Sequence, residues 1–336
     1  MRIAQNSAMN ATHWRHLTSW QSLKISSLFL LGWLIFSMPV SAANPSSLGP
    51  QDALVSVVVV GDIMLGGPPE RMMQRGLDPF KHFSQVFKQA DIRLGNLECV
   101  VSNKGEAEPD KPNVFRVHPR AIRFLSRHFD AVGLANNHSG DYGPVAFADM
   151  LKRLRQAGVG FYGGGDNLAQ AHQPFIMEKK GVRIAVLGFN EFQPRSFEAD
   201  HDKPGIAWSE DEQVLRDIAW ARGPGRADVV IMVMHWGWED PLANHRQRQL
   251  ARLMIDAGVD AVIGGHPHLV QDSEVYQGKP IFYSLGNFVF EGFDNPVNNT
   301  GLVLNLSISK HGVQHWDLMQ AHIDKRGVPR LRQHPP

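Results

Sequence analysis

The sequence predicts a single large α/β domain. Short runs rich in valine and isoleucine recur along it, amphipathic helical segments lie between them, and polar residues with metal-ligand chemistry stand where the runs end. At 336 residues, with 43% hydrophobic and 20% charged side chains, the composition is that of a globular protein with a sizeable core.

The strand candidates are "LVSVVVV" (54–60), "AVGLA" (131–135), "RIAVLGF" (183–189), "VVIMVM" (229–234) and "AVIG" (261–264). Each is apolar throughout rather than alternating, the pattern of strands covered on both faces. Between them, Phe147, Met150, Leu151 and Leu154 fall on one helical face, as do Leu250, Leu253, Met254 and Ala257. Gly258 stands as the stop signal of the second helix. The late part differs. "PIFYSLGNFVF", "GLVLNLSIS" and "GVQHWDLMQAHI" read as three strands with no helix between them. The domain is assigned to residues 55–323, with 44–54 as a linker and 324–336 as a C-terminal tail.

Residues 1–43 stand apart. They carry Arg2, Arg15 and Lys24 and no acidic residue, then "ISSLFLLGWLIFSM" and "PVSAA". A basic lead, an apolar segment and small residues at a cleavage point describe a secretory signal peptide. The segment is shorter than the ~20 residues of a membrane span; an uncleaved N-terminal anchor is the alternative. Either way the body is expected to be exported, to the periplasm or beyond. The remaining charges nearly balance and no basic block occurs, which excludes a nucleic-acid footprint. Cys99 is the only cysteine, so an internal disulfide and a cysteine zinc site are excluded too. Any metal must be held by His, Asp, Glu or Asn.

Such residues collect at the strand ends. "VVVV" runs into Gly61-Asp62, and "GNLE" supplies Asn96 and Glu98. "VGLA" delivers Asn136, Asn137 and His138; "VIMVM" delivers His235; "AVIGG" delivers His266 and His268. In open α/β sheets ligands gather outside the carboxyl ends of strands, so five strand ends should converge on one rim. Singly, each of these is an ordinary turn or hydrogen-bonding residue. The "GGHPH" segment is more specific: an extended x-Pro-x stretch places both imidazoles on one side. The set consists of hard and borderline donors suited to Mn, Zn or Fe.

With these blocks in hand the chain resembles the capsule-synthesis CapA family of poly-γ-glutamate biosynthesis proteins, related in fold to calcineurin-like metallophosphoesterases. "GDIMLGG", "GNLE", "LANNHSGDYG", "MHWGWED", "DAGVDAVIGGHPHLVQ" and "KPIFYSLGNFVF" occur in the family's order over roughly residues 55–290. The resemblance implies a β-sandwich flanked by helices. It further implies a site for one or two divalent ions. Asp62 and His268 would serve a first ion; Asn137, His235 and His266 a second. The "GNLE" residue facing the pocket would lie between them, and His138 would act as general acid. Two departures weaken the first position: Met64 stands where a ligating His is expected, and Asn96 where a bridging Asp is expected. Glu98, two residues on and on the same side of an extended segment, can replace that carboxylate.

Two functions fit. One is an exported metal-dependent hydrolase of capsule or poly-γ-glutamate biosynthesis, using metal-activated water and acting on an anionic envelope polymer or a phosphoester. The other is a non-catalytic metal-bearing accessory that binds the polymer or a membrane synthase during export. Trp236 and Trp238 line a groove or cap the core; Glu191 ends a strand and is a further pocket candidate. Asp141 is expected to fix the loop behind His138, Cys99 to pack in the core, and Arg195, Arg246 and Arg248 to offer positive charge to a polyanion.

Overall fold

The computed structural model describes residues 53–193 and 195–332. The leader assigned from the sequence lies outside them. No helix among the described residues is long and apolar enough to cross a membrane.

The main elements, in chain order, are β1 (Val55–Ile63), β2 (Ile92–Leu97), β3 (Ala131–Gly133), α1 (Gly143–Gln156), β4 (Gly160–Tyr162), β5 (Phe175–Lys179) and β6 (Val182–Asn190). They continue with α2 (Asp211–Arg222), β7 (Val229–His235), α3 (His245–Asp256), β8 (Ala261–Gly265), β9 (Ser273–Tyr276) and β10 (Lys279–Phe282). The last are β11 (Asn287–Val289), β12 (Thr300–Ser309), β13 (Gly312–Ile323) and β14 (Pro329–Leu331).

Two sheets stack. One runs β14-β13-β12-β1-β2-β3-β4, with β11 also pairing β1; the other runs β9-β10-β8-β7-β6-β5. The strands β1 to β4 are mutually parallel, as are β6, β7, β8 and β10, while the late strands β12 to β14 add antiparallel pairs. Alternation along β1 sorts its valines between two cores. Val57 and Val59 face the second sheet and meet Ile184, Val186, Ile231 and Ile263, whereas Val58 and Val60 join Phe147, Met150 and Leu154 of α1 on the outer face. On the far side, Val230 and Met232 of β7 pack on Val214 and Ile218 of α2 and on Leu250 and Met254 of α3. The continuous apolar strands of the sequence thus have both faces covered, in a helix–sheet–sheet–helix stack.

Details differ from the sequence expectation at the ends. "PIFYSLGNFVF" is two strands, β10 and β11, which belong to different sheets. The segment assigned as tail contributes β14, paired with β13. Helix α3 does end as expected, with Gly258 at φ 109°, a conformation costly for other residues. Its start is closed by a capping box in which the Asn244 side chain accepts from the Gln247 backbone and Gln247 accepts from the Asn244 backbone. Asn244→Ala is expected to cost about 1 kcal/mol and to lower the thermal midpoint by about 2–4 °C. Calorimetry of that variant, showing no shift, would contradict this reading of the cap.

Candidate metal centre

Because β1 and β2 run parallel in one sheet and β7 and β8 in the other, the residues at their carboxyl ends stand side by side. Asp62 lies opposite Asn96 across β1 and β2, and His235 closes β7 opposite Gly265 of β8. The backbone crosses closely here. A Cβ placed on Gly265 would lie 2.6 Å from Asp62 Oδ1, so only glycine lets β8 approach that carboxylate.

Asn137, His235, His266 and Glu98 meet. His235 Nε2 lies 2.7 Å from Asn137 Oδ1, 3.2 Å from His266 Nδ1 and 3.5 Å from Glu98 Oε1. His268 approaches Glu98 from the other side, Nε2 to Oε1 3.7 Å, and its Nδ1 lies 3.7 Å from Asp62 Oδ2. Donor atoms of Glu98, His266 and His268 all fall within 4.8 Å of one another. The carboxylate of Glu98 is therefore the common neighbour of three imidazoles.

Its environment is the informative feature. Glu98 is fully buried, and neither of its oxygens has a hydrogen-bond partner. Burial, reinforced by the Asp62 charge, holds its carboxyl well above the usual range. A carboxylate buried without a hydrogen bond is costly. Burial also pushes His235 well below its ordinary value, and takes His266 down to about 2. His235 and His266 are thus held toward the neutral form, which offers a lone pair. A buried unpartnered carboxylate among neutral imidazoles fits a divalent cation by the chemistry of its donors.

Two expectations are modified. Asn96 buttresses rather than bridges: its amide nitrogen donates to Asp62 Oδ1 at 2.8 Å and lies 3.2 Å from His235 Nδ1, while its oxygen accepts from Asn136 at 3.0 Å. The "HPH" segment is not extended. His266 and His268 sit at φ 97° and 57°, left-handed conformations that cost free energy in residues other than glycine and recur at functional sites. The rings still converge, with centroids 5.9 Å apart.

Asp62 is fully buried; one oxygen takes the Asn96 amide and the other the His266 backbone N–H at 3.1 Å. Met64, buried beside it, turns its sulfur to the Gly66 backbone N–H at 3.1 Å. The Asp62 side of the centre therefore has fewer free donor positions than the side formed by Asn137, His235 and His266.

His138 stands at the edge of this cluster. Its Nδ1 donates to Asp141 Oδ2 at 2.7 Å, which fixes the tautomer and leaves Nε2 for a ligand. Asp141 does hold the loop: it also accepts from the Phe115 backbone N–H at 2.6 Å and pairs with Lys111. Lys111, which no strand-end pattern marks, donates to the Asn137 carbonyl at 2.5 Å and lies 3.4 Å from His138 Nδ1. Burial outweighs the Asp141 contact, so the His138 imidazole sits below its ordinary value. Phenylalanines pack on the site histidines: Phe115 on His138 at 4.0 Å between centroids, Phe192 on His266 at 3.6 Å, and Phe290 on His268 at 4.9 Å.

Other candidates lie elsewhere. Glu191 accepts from Arg246 at 2.6 Å and from Ser209 at 2.9 Å, and so is spent outside the pocket. Trp236 is buried and donates to the Tyr283 carbonyl at 3.0 Å, capping the second sheet, whereas Trp238 is exposed and stacks edge-on against Phe192. Cys99 is buried in the outer core, its thiol pushed up to about 12 by burial. Outside the centre lies a cleft of about 580 Å³, with Asn137, His138, His266 and His268 among its lining residues.

This architecture is shared. A novel phosphatase from Mycoplasma pneumoniae matches with a TM-score of 0.55 at 13% identity, over 80% of this chain and 94% of that one. A putative 5'-nucleotidase from Staphylococcus aureus matches with a TM-score of 0.52 at 15% identity, over 79% and 54% respectively. Such distant likenesses bear on the fold alone, which is of the metallophosphoesterase type. At the level of sequence, the PGA biosynthesis protein CapA of Bacillus subtilis (strain 168) is 34% identical over 283 residues, 82% of this chain and 74% of that one. The capsule biosynthesis protein CapA of Bacillus anthracis is 35% identical over 285 residues, 82% and 69%. The model of the bacterial capsule synthesis protein PGA_cap matches residues 56–292. With strand ends, donor cluster and relatives all in agreement, the chain belongs to that capsule and poly-glutamate synthesis family.

Proposed function

We propose that this protein is an exported, metal-dependent hydrolase of capsule or poly-γ-glutamate biosynthesis, with His138 as its general acid. The observation that carries the reading is the orphaned Glu98 carboxylate among His235, His266 and His268. Asn137, His235, His266 and Glu98 would hold one ion, and Asp62 with His268 any second. When bound, such an ion supplies an acidified water near neutral pH and polarises a phosphoryl or carbonyl oxygen.

The chain's own residues account for the rest. Glu98 and the imidazoles fix the donor set in a dry environment, because Phe115, Phe192 and Phe290 cover the histidine rings. Asp141 and Lys111 orient His138; with Nδ1–H held by Asp141, Nε2 gives a proton to a leaving oxygen in the cleft once the ring is the imidazolium, the form that the Asp141 carboxylate favours. The accessory reading draws on Met64 and on the hydrogen bonds that occupy Asp62, which leave the Asp62 side poor in donors. A retained proton donor beside an open cleft favours hydrolysis. Export, which the leader sequence supports, would put the site on the outer side of the membrane, within reach of a membrane synthase.

The test compares tag-free protein reloaded with Mn, Zn or Fe against chelator-treated protein, on p-nitrophenyl phosphate and bis(p-nitrophenyl) phosphate. Turnover that appears with metal and vanishes on chelation is expected. Bound metal with no turnover of either ester would leave the accessory reading in its place.

A further inference from the structure

The cleft has a charge character opposite to the one a polyglutamate chain requires. Glu108, Asp110, Glu239 and Glu291 line it, and all four are exposed. Among the described lining residues Lys111 is the one ammonium or guanidinium, and it is turned inward onto Asp141 and the Asn137 carbonyl. The arginines that the sequence offered to a polyanion are engaged. Arg195 pairs with Glu198 and Glu210, Arg246 with Glu191 and Asp211, and Arg248 with Asp272. A carboxylate-bearing chain entering here would meet like charge along the rim, where no side-chain cation among the described lining residues faces it.

What the walls do offer is aromatic surface next to acid. Phe115, Phe192, Phe290 and Phe293 line the same cleft, and Phe290 and Phe293 lie 5.1 Å apart between centroids. Aromatic faces with nearby carboxylates are the recognition chemistry of ammonium and quaternary ammonium groups. At about 580 Å³ the space is that of a small-molecule site. At its floor lie His266, His268 and, beneath them, the buried orphan Glu98.

We propose that the cleft takes a phosphoester whose organic part carries an ammonium group, with the phosphoryl oxygens at the histidine cluster and the ammonium between the phenylalanines and the rim carboxylates. This rests on the reading of the cluster as a metal centre and deepens it: of the two substrate classes considered, phosphoester and anionic polymer, the cleft selects the first.

Calorimetry on the metal-loaded protein tests it, with phosphocholine, inorganic phosphate and γ-linked pentaglutamate as probes at low and at physiological ionic strength. Phosphocholine is expected to bind about tenfold or more tighter than inorganic phosphate, and pentaglutamate more weakly than either. In Glu239→Gln with Glu291→Gln, and further with Glu108→Gln and Asp110→Asn added, the preference for phosphocholine over phosphate should collapse. Equal binding of phosphate and phosphocholine, tighter binding of pentaglutamate, a preference untouched by the carboxamide variants, or no binding of any probe would each overturn the proposal. Failure of the hydrolase reading looks different: the order of affinities would hold while no ester is turned over. Turnover of p-nitrophenyl phosphate without preference for p-nitrophenyl phosphocholine would retain the hydrolase and reject this substrate class.

Discussion

Glu98→Gln is expected to make the metal-free protein more stable and the metal-loaded protein less so. In the wild type a fully buried carboxyl with no hydrogen-bond partner faces three imidazoles. Leaving such a group unsatisfied costs about 1–3 kcal/mol, more when it is charged. Its carboxyl is raised above the ordinary value of 4.5 by burial and by Asp62. The folded metal-free state therefore holds a proton that the unfolded chain has already released. That contribution to stability is present in full below pH 4.5 and is lost as pH rises through the raised value. Glutamine carries no charge at any pH, so the variant should overtake the wild type as pH climbs above 4.5, by about 2–5 °C near neutrality. The histidines do not disturb the comparison. His235 and His266 are lowered from 6.5, so acidification below 6.5 destabilises both proteins alike as the unfolded chains take up protons. Added metal should reverse the order. At 100 times its dissociation constant a ligand stabilises by about 2.7 kcal/mol, which the wild type gains and the variant largely forgoes. Elemental analysis should show metal in the wild type and little in the variant. His235→Ala with His266→Ala should lose it as well. A metal-free Glu98→Gln protein that melts below the wild type across this range would mean that Glu98 is satisfied structurally, and that the cluster is not a cation site.

The parts of this site that could be read from the sequence are those fixed by strand periodicity. Asp62, Asn96, His235 and His266 stand at or directly beyond the ends of β1, β2, β7 and β8, and parallel pairing in register brings such ends together whatever the loops do. Glu98 followed from alternation: two residues beyond Asn96, it reaches the same pocket. The failures have a common cause, since they depend on loop geometry that carries no period. The conformation of "HPH" departs from the extended bias of a residue before proline, where β8 comes close to Asp62. Lys111 and Phe115 come from the long connection after β2, where "EPDKPNVF" gives no strand or helix signal. The fate of Glu191 depended on Arg246, more than fifty residues away on α3. Spacing marks donors at strand ends. It does not mark the cations that neutralise, or the rings that cover, from another part of the chain.

His138 provides the sharpest division between an enzyme and a metal-bearing scaffold. It lies beside the donor Asn137, yet it is not within the cluster of Glu98, His266 and His268, and its Nδ1 is committed to Asp141. His138→Ala is therefore expected to keep its metal and to lose about 10²–10⁴-fold in hydrolysis, the usual contribution of a positioned acid. The loss should depend on the leaving group. A p-nitrophenolate departs with little help, whereas an alkoxide needs a proton as the bond breaks, so the penalty on an alkyl phosphoester should exceed that on the p-nitrophenyl ester. Asp141→Asn should behave in the same direction while retaining metal. An amide does not stabilise the imidazolium as the carboxylate does, so less of His138 carries the Nε2 proton that a general acid must give. This leaving-group dependence is a readout that a merely structural role would not move. Equal losses on both esters, or loss of metal from His138→Ala, would remove His138 from the chemistry and make it part of the scaffold that holds Asn137 in place.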